Sequence, residues 1–185
     1  PYISPRDLLV DNQTLWIGGI SYQQLPAGIT RWDLKSDNWK YFEDPFEYDM
    51  YNDDVRVVEK LKNSVYFGTE LGLTFYNKKA KKWKSRTINH GLESNLISDM
   101  FPYDGILYRA TDEGLNWYDP SIDKIHESSD NRLDNFPLNM IAFMNDSTLI
   151  LATKNGLFNY HINTDRFSLF KTGSSLLDVR VSAVA

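Results

Sequence analysis

The chain has 185 residues, 42% hydrophobic, 14% aromatic and 24% charged, which excludes a disordered or collagen-like polymer and allows a substantial buried core. A formal charge of −5 without a basic stripe argues against nucleic-acid contact by this segment, and the absence of cysteine excludes disulfides and thiolate metal sites. No apolar run approaches the roughly 20 residues that span a bilayer, so no membrane contact is expected of this segment.

In chain order, Arg6 to Val10 reads as a first strand, and Leu15-Trp16-Ile17-Gly18-Gly19 as a second. A long connection, Ile20 to Ala27, leads to Gly28-Ile29 and a third strand ending at Trp32-Asp33. The polar turn Lys35 to Asn38 then leads to a fourth strand opened by Trp39. The same order recurs in the second copy at Val65-Tyr66-Phe67-Gly68-Thr69, Gly72-Leu73, the lysine-rich turn Lys78 to Lys82, and Trp83. That cationic turn reads as solvated.

The third copy shows the grammar most fully. Ile97 to Phe101 is a strand, and Asp104-Gly105 supplies a two-residue hairpin turn. Ile106 to Thr111 follows, Asp112-Glu113-Gly114 reverses the chain, and Leu115 to Asp119 is a third strand. Pro120 to Asp123 then leads to Lys124 to Glu127. The fourth copy has Leu149 to Thr153, Asn155-Gly156 as a type I′ pair, a turn at Asn163 to Asp165, and Phe167.

The glycines 28, 72, 114 and 156 are spaced by 44, 42 and 42 residues, as are the closing residues Trp39, Trp83, Ile125 and Phe167. A period of roughly 40 to 50 residues built from short strands predicts an all-β fold, a β-propeller of four-stranded antiparallel blades. The blades are predicted at 1–54, 55–96, 97–138 and 139–178. Asp178 to Val184 begins a fifth copy, and 179–185 is predicted as the first strand of a fifth blade. Four blades and an unpaired strand, in a chain starting at Pro1, read as part of a larger propeller whose remaining blades are its partners. Glycine at one recurrent position fits a need for positive φ. The closing residues Trp39, Trp83, Ile125 and Phe167 are expected to pack between neighbouring blades.

Three motifs, Gly91-Leu92-Glu93-Ser94-Asn95-Leu96-Ile97, Leu15-Trp16-Ile17-Gly18 and Gly114-Leu115-Asn116-Trp117-Tyr118-Asp119-Pro120, resemble the two-component regulator propeller repeat. Copy three departs from the repeat with Arg109-Ala110 where the family prefers Ile-Gly, and copies one and two lack the Asp-Pro turn. The resemblance implies the periplasmic sensing region of a bacterial hybrid two-component sensor kinase, the ectodomain of an inner-membrane protein that controls polysaccharide use. In the parent protein it also implies histidine kinase activity, phosphorelay and a homodimer. Trp32-Asp33 is the kind of dipeptide that closes a WD40 strand, but its counterparts are Tyr76-Asn77, Tyr118-Asp119 and Tyr160-His161.

Catalytic and metal chemistry find no pattern, and no cofactor is implied. His90, His126 and His161 occupy unlike positions without partners at ligand spacing, and no Gly-x-Ser-x-Gly elbow or phosphate loop is present. His126-Glu127 lies in a predicted strand, whereas a phosphoacceptor box needs a helix. The acidic run Glu43, Asp44, Glu47, Asp49, Asp53 and Asp54 lacks the glycine and spacing of a calcium loop. The informative irregularities are the two long connections of copy one. They bring Tyr22, Gln23 and Gln24 together with Phe46, Tyr48, Tyr51 and Asn52 as candidate ligand-binding residues. Rings offer an apolar platform and amides bond hydroxyls, so the expected ligand is a glycan or oligosaccharide. The alternatives are a polysaccharide-acting propeller enzyme and a structural scaffold, for instance in a secretion apparatus.

Overall fold

A computed structural model of the chain describes residues 4–20, 28–42, 48, 54–92, 94–134 and 136–170. These form sixteen strands in four separate four-stranded antiparallel sheets, each a meander in which consecutive strands pair. The predicted strand at 178–184 lies outside the described residues. The chain divides into two compact units, Pro1–Ile97 and Ser98–Ala185.

The first unit holds β1 Ser4–Asp11, β2 Thr14–Ile20, β3 Ile29–Asp33 and β4 Asn38–Phe42 in one sheet. Its second sheet is β5 Val55–Leu61, β6 Ser64–Thr69, β7 Gly72–Asn77 and β8 Lys82–Arg86. The core between the two sheets joins Trp16, Ile29 and Phe42 to Val55, Val58, Val65 and Phe67. Close approach explains the glycine of Leu15-Trp16-Ile17-Gly18: a Cβ at Gly18 would stand 2.7 Å from a methyl of Val58. Polar ties reinforce the apolar contact. The Asp7 carboxylate accepts the Val58 backbone N–H at 2.6 Å. Buried Asp11 receives Lys60 at 2.5 Å and also Lys78. Burial pushes the Asp11 carboxyl up, but the hydrogen bonds from both lysines outweigh it and leave its pKa below the ordinary value. The lysine-rich turn is therefore only partly solvated, because Lys78 is tied down.

The second unit holds β9 Ile97–Tyr103, whose first residue closes the preceding unit, with β10 Ile106–Thr111, β11 Gly114–Asp119 and β12 Lys124–Glu127. Its other sheet is β13 Leu138–Asn145, β14 Thr148–Thr153, β15 Gly156–His161 and β16 Arg166–Leu169. Tyr108, Ala110 and Leu115 meet Leu138, Ile141, Leu149, Leu151, Tyr160 and Phe167 in one core. Asp99 repeats the Asp7 tie by accepting the Ile141 N–H at 2.7 Å. Asp130 and Asp165 add two more ties. Asp130 accepts from the Arg132 side chain and from the Phe167 N–H at 2.8 Å, and Asp165 accepts from the Ser128 hydroxyl at 2.6 Å and the Ser129 N–H at 2.7 Å.

Turn chemistry follows the sequence in most places. The recurrent glycines all have positive φ, at 99°, 129°, 127° and 117°, and a Cβ at Gly114 would also sit 2.8 Å from the Leu133 carbonyl oxygen. Asp104 and Gly105 take φ of 44° and 80°, as a type I′ turn requires. Asn155-Gly156 does not form such a pair. Gly156 is already the first residue of β15, opposite Thr153, and the turn is Lys154-Asn155 with Asn155 outside the positive-φ set. There the Thr153 hydroxyl donates to the Gly156 carbonyl at 2.9 Å and accepts from Asn155 N–H at 3.0 Å. Thr69 and Thr111 do the same, so a threonine locks the short turn wherever the connection is tight.

The closing residues divide. Phe167 is buried and Trp83 packs against the first unit's core, but Trp39 is 41% exposed. Trp39 pairs with Trp32 on the opposite face of the first sheet from Ile29 and Phe42, away from the second sheet, and stacks on Trp32 with centroids 4.5 Å apart.

Candidate functional site

The first unit contains a cavity of about 480 Å³ built from both of its sheets. Strand alternation places Ile29 and Arg31 of β3 on the same face as Lys40 and Phe42 of β4, with Arg31 directly opposite Lys40. The second sheet contributes Tyr76 from β7 and, directly opposite it, Trp83 from β8, together with Lys81 and Lys82. Tyr48 completes the lining. Phe42, Tyr48, Tyr76 and Trp83 form one continuous aromatic wall. Trp83 lies 4.8 Å from Phe42, 6.0 Å from Tyr48 and 5.0 Å from Tyr76, and Phe42 meets Tyr48 edge-on at 5.1 Å. The Lys40 ammonium lies over the Phe42 and Tyr48 rings at 5.0 and 5.5 Å.

One of the predicted ligand-binding residues, Tyr48, lines this cavity. Tyr22, Gln23, Gln24, Phe46, Tyr51 and Asn52 lie outside the described residues, as does most of the acidic run. Arg31, Lys40 and Tyr76 were not singled out by sequence, Lys81 and Lys82 were read only as part of a solvated turn, and Trp83 only as a closing residue. Their signal was present in the repeat itself. Trp32, Tyr76, Tyr118 and Tyr160 are equivalent by the 44, 42 and 42 spacing, as are Asp37, Lys81, Asp123 and Asp165, all of which take positive φ. In three sheets the aromatic donates to the aspartate: Trp32 Nε1 to Asp37 at 2.9 Å, Tyr118 Oη to Asp123 at 2.7 Å and Tyr160 Oη to Asp165 at 3.0 Å. In the second sheet lysine replaces the acceptor.

The histidines serve the fold. His126, in β12, stacks on Trp117 with planes 10° apart. His161 Nε2 is 2.9 Å from Ser168 Oγ, and His90 Nδ1 is 3.1 Å from Thr87 Oγ1. Among the described residues no three His, Cys, Asp or Glu side chains converge as a metal site would require. In the second unit, Arg109 is fully buried, and its three guanidinium nitrogens have no hydrogen-bond partner among the described residues. The same holds for the side-chain amide of buried Asn116, the residue opposite it on β11. Burial lowers the Arg109 pKa to about 9.

No family profile and no curated protein matches the chain. Solved structures do. The extracellular domain of BT4673 from B. thetaiotaomicron, named as part of a hybrid two component system in one structure and of a one component system in another, superposes in the former with a TM-score of 0.73 at 20% identity, over 94% of this chain and 23% of that one. The corresponding domain of BT3049 gives 0.73 at 15% identity over 96% and 25%. PorZ, a surface component of the type-IX secretion system of Porphyromonas gingivalis, gives 0.72 at 15% identity over 97% and 29%. The chain thus spans about a quarter of the length of these proteins and shares their fold over nearly all of its own length. Among the described residues no helix is long and apolar enough to cross a membrane.

Proposed function

We propose that the chain is a segment of the periplasmic β-propeller of a hybrid two-component sensor, and that it recognises a glycan or oligosaccharide without acting on it. The observation that carries this reading is the aromatic-walled cavity. A wall of four rings with polar side chains around it matches what a saccharide needs, apolar surface for its C–H faces and hydrogen-bonding groups for its hydroxyls. The fold shared with the two extracellular domains from B. thetaiotaomicron supports the sensor context. The propeller form is supported by repeated four-stranded sheets and by the matching aspartate ties at Asp7 and Asp99. In such a sensor the ligand must bind one state of the parent dimer more tightly than the other, since equal affinity shifts nothing.

Glycan-array binding by the full chain, followed by calorimetry and a reducing-end assay on each bound polymer, tests this. Binding without release of new reducing ends is expected, and Tyr48→Ala should weaken it at least tenfold. Release of reducing ends would overturn the non-catalytic reading, and no binding to any glycan would overturn recognition. The likeness to PorZ favours a second reading, an assembly scaffold at the cell surface. A membrane span followed by kinase motifs in the same gene would exclude it.

A further inference from the structure

We infer that the cavity of the first unit takes an anionic saccharide, a pyranose bearing a carboxylate or a sulfate; the inference rests on the glycan reading above and narrows it. Four cations, Arg31, Lys40, Lys81 and Lys82, surround the aromatic wall; among the described residues no carboxylate lines the cavity or stands at ion-pair distance from any of them, while Asp33, two residues along β3 on the same face, interacts with Arg31 electrostatically.

Two features set this apart from an ordinary solvated surface. First, Arg31 and Lys40 stand directly opposite each other across β3 and β4, an arrangement that costs stability in a bare sheet and is relieved by an anion between them. Second, the site lies where the repeat reverses its charge. At the turn position that is aspartate in the other three sheets, the second sheet places Lys81, so the charge changes sign while the positive φ, 53°, is kept. The substitution also removes the acceptor that its siblings give to the strand aromatic. The Tyr76 hydroxyl consequently has no hydrogen-bond partner among the described residues, and Tyr76 is one of the residues that line the cavity.

These groups fit the ligand in parts. A guanidinium can hold a carboxylate or sulfate through two parallel N–H···O bonds, and the lysines add point charges. Trp83 and Phe42 offer faces to the apolar side of a sugar ring, and the Tyr76 hydroxyl can donate to or accept from a sugar hydroxyl. The volume lies within the roughly 300–1,000 Å³ of ordinary ligand pockets.

The test titrates the full chain with an oligogalacturonate, its methyl ester, a sulfated galactose oligosaccharide, its desulfated form and inorganic sulfate, at low and high salt. One charged oligosaccharide should bind at least tenfold more tightly than its neutral form, and binding should weaken with salt. Which of the two binds distinguishes carboxylate from sulfate recognition. Arg31→Gln and Lys82→Gln should each weaken it at least tenfold, while Lys40→Gln, which removes the facing like charge, should hold or raise Tm. Equal affinity for charged and neutral forms, or unchanged affinity in both the Arg31 and Lys82 variants, would overturn the anionic inference and leave glycan recognition standing. Inorganic sulfate binding as tightly as the oligosaccharides would overturn the saccharide part. Failure of every saccharide, together with a blank glycan array, would remove both.

Discussion

Two tryptophans at equivalent repeat positions have opposite fates, because a side chain's burial depends on what stands against its face of the sheet. Trp83 is held by five aromatic rings, including Trp16 and Phe42 of the first sheet, so Trp83→Ala should cost about 3 kcal/mol, near the low end for truncating a packed aromatic. Trp39→Ala should cost about 1 kcal/mol or less, the worth of one stacking contact. Urea unfolding of both variants checks the pair, and equal losses would mean that the outer face is covered in solution. Arg109 is a third residue at which repeat position and environment disagree. Its counterparts are Ile17, Phe67 and Leu151, and its charge has no described partner. Burial of an uncompensated charge is costly, so Arg109→Leu should leave stability unchanged or raise it by up to about 4 kcal/mol. A loss of more than about 1 kcal/mol in thermal unfolding would show that the guanidinium has a partner it needs.

At the scale of strands and turns, the sequence was most informative where the backbone itself makes a demand. The recurrent glycines 28, 72, 114 and 156 all took positive φ, and Asp104-Gly105 announced its hairpin. Asn155-Gly156 misled because the threonine lock at Thr153, rather than the dipeptide, sets that turn. The aspartate ties were not legible, since a carboxylate reaching a backbone N–H 42 or 51 residues away leaves no local pattern. Asp130 gives these ties a pH signature. The Arg132 side chain is the largest influence on its carboxyl and holds it well below the ordinary 3.8, with Phe167 N–H acting in the same direction against desolvation. A carboxylate with lowered folded pKa contributes stability that is present above its unfolded value and lost as pH falls below it. The stability gap between the native chain and Asp130→Asn should therefore be constant at neutral pH and narrow on acidification below 3.8. Denaturant midpoints followed from pH 7 to about pH 2 measure it, and a constant gap throughout would remove Asp130 from acid unfolding.

For the whole molecule, the repeat gave the all-β class and the four-stranded sheets, because a 42 to 44 residue period leaves room for four short strands and little else. It did not reveal the cavity, which depends on cross-strand register within two sheets and on their packing against each other. Tyr48, the one member of the predicted set among the described residues, lies there. Arg31, Lys40 and Tyr76 read in isolation as ordinary strand residues, and Lys81 stands out only when the four copies are aligned. One consequence concerns Trp32 and Trp39, two indoles 4.5 Å apart and within 12° of parallel. Chromophores that close couple their excited states, so the pair should contribute a circular-dichroism band that Trp39→Ala removes. The chain thereby carries an unlabelled optical reporter of order on the outer face of its first sheet, distinct from Trp16 and Trp83, which meet in the core between the two sheets.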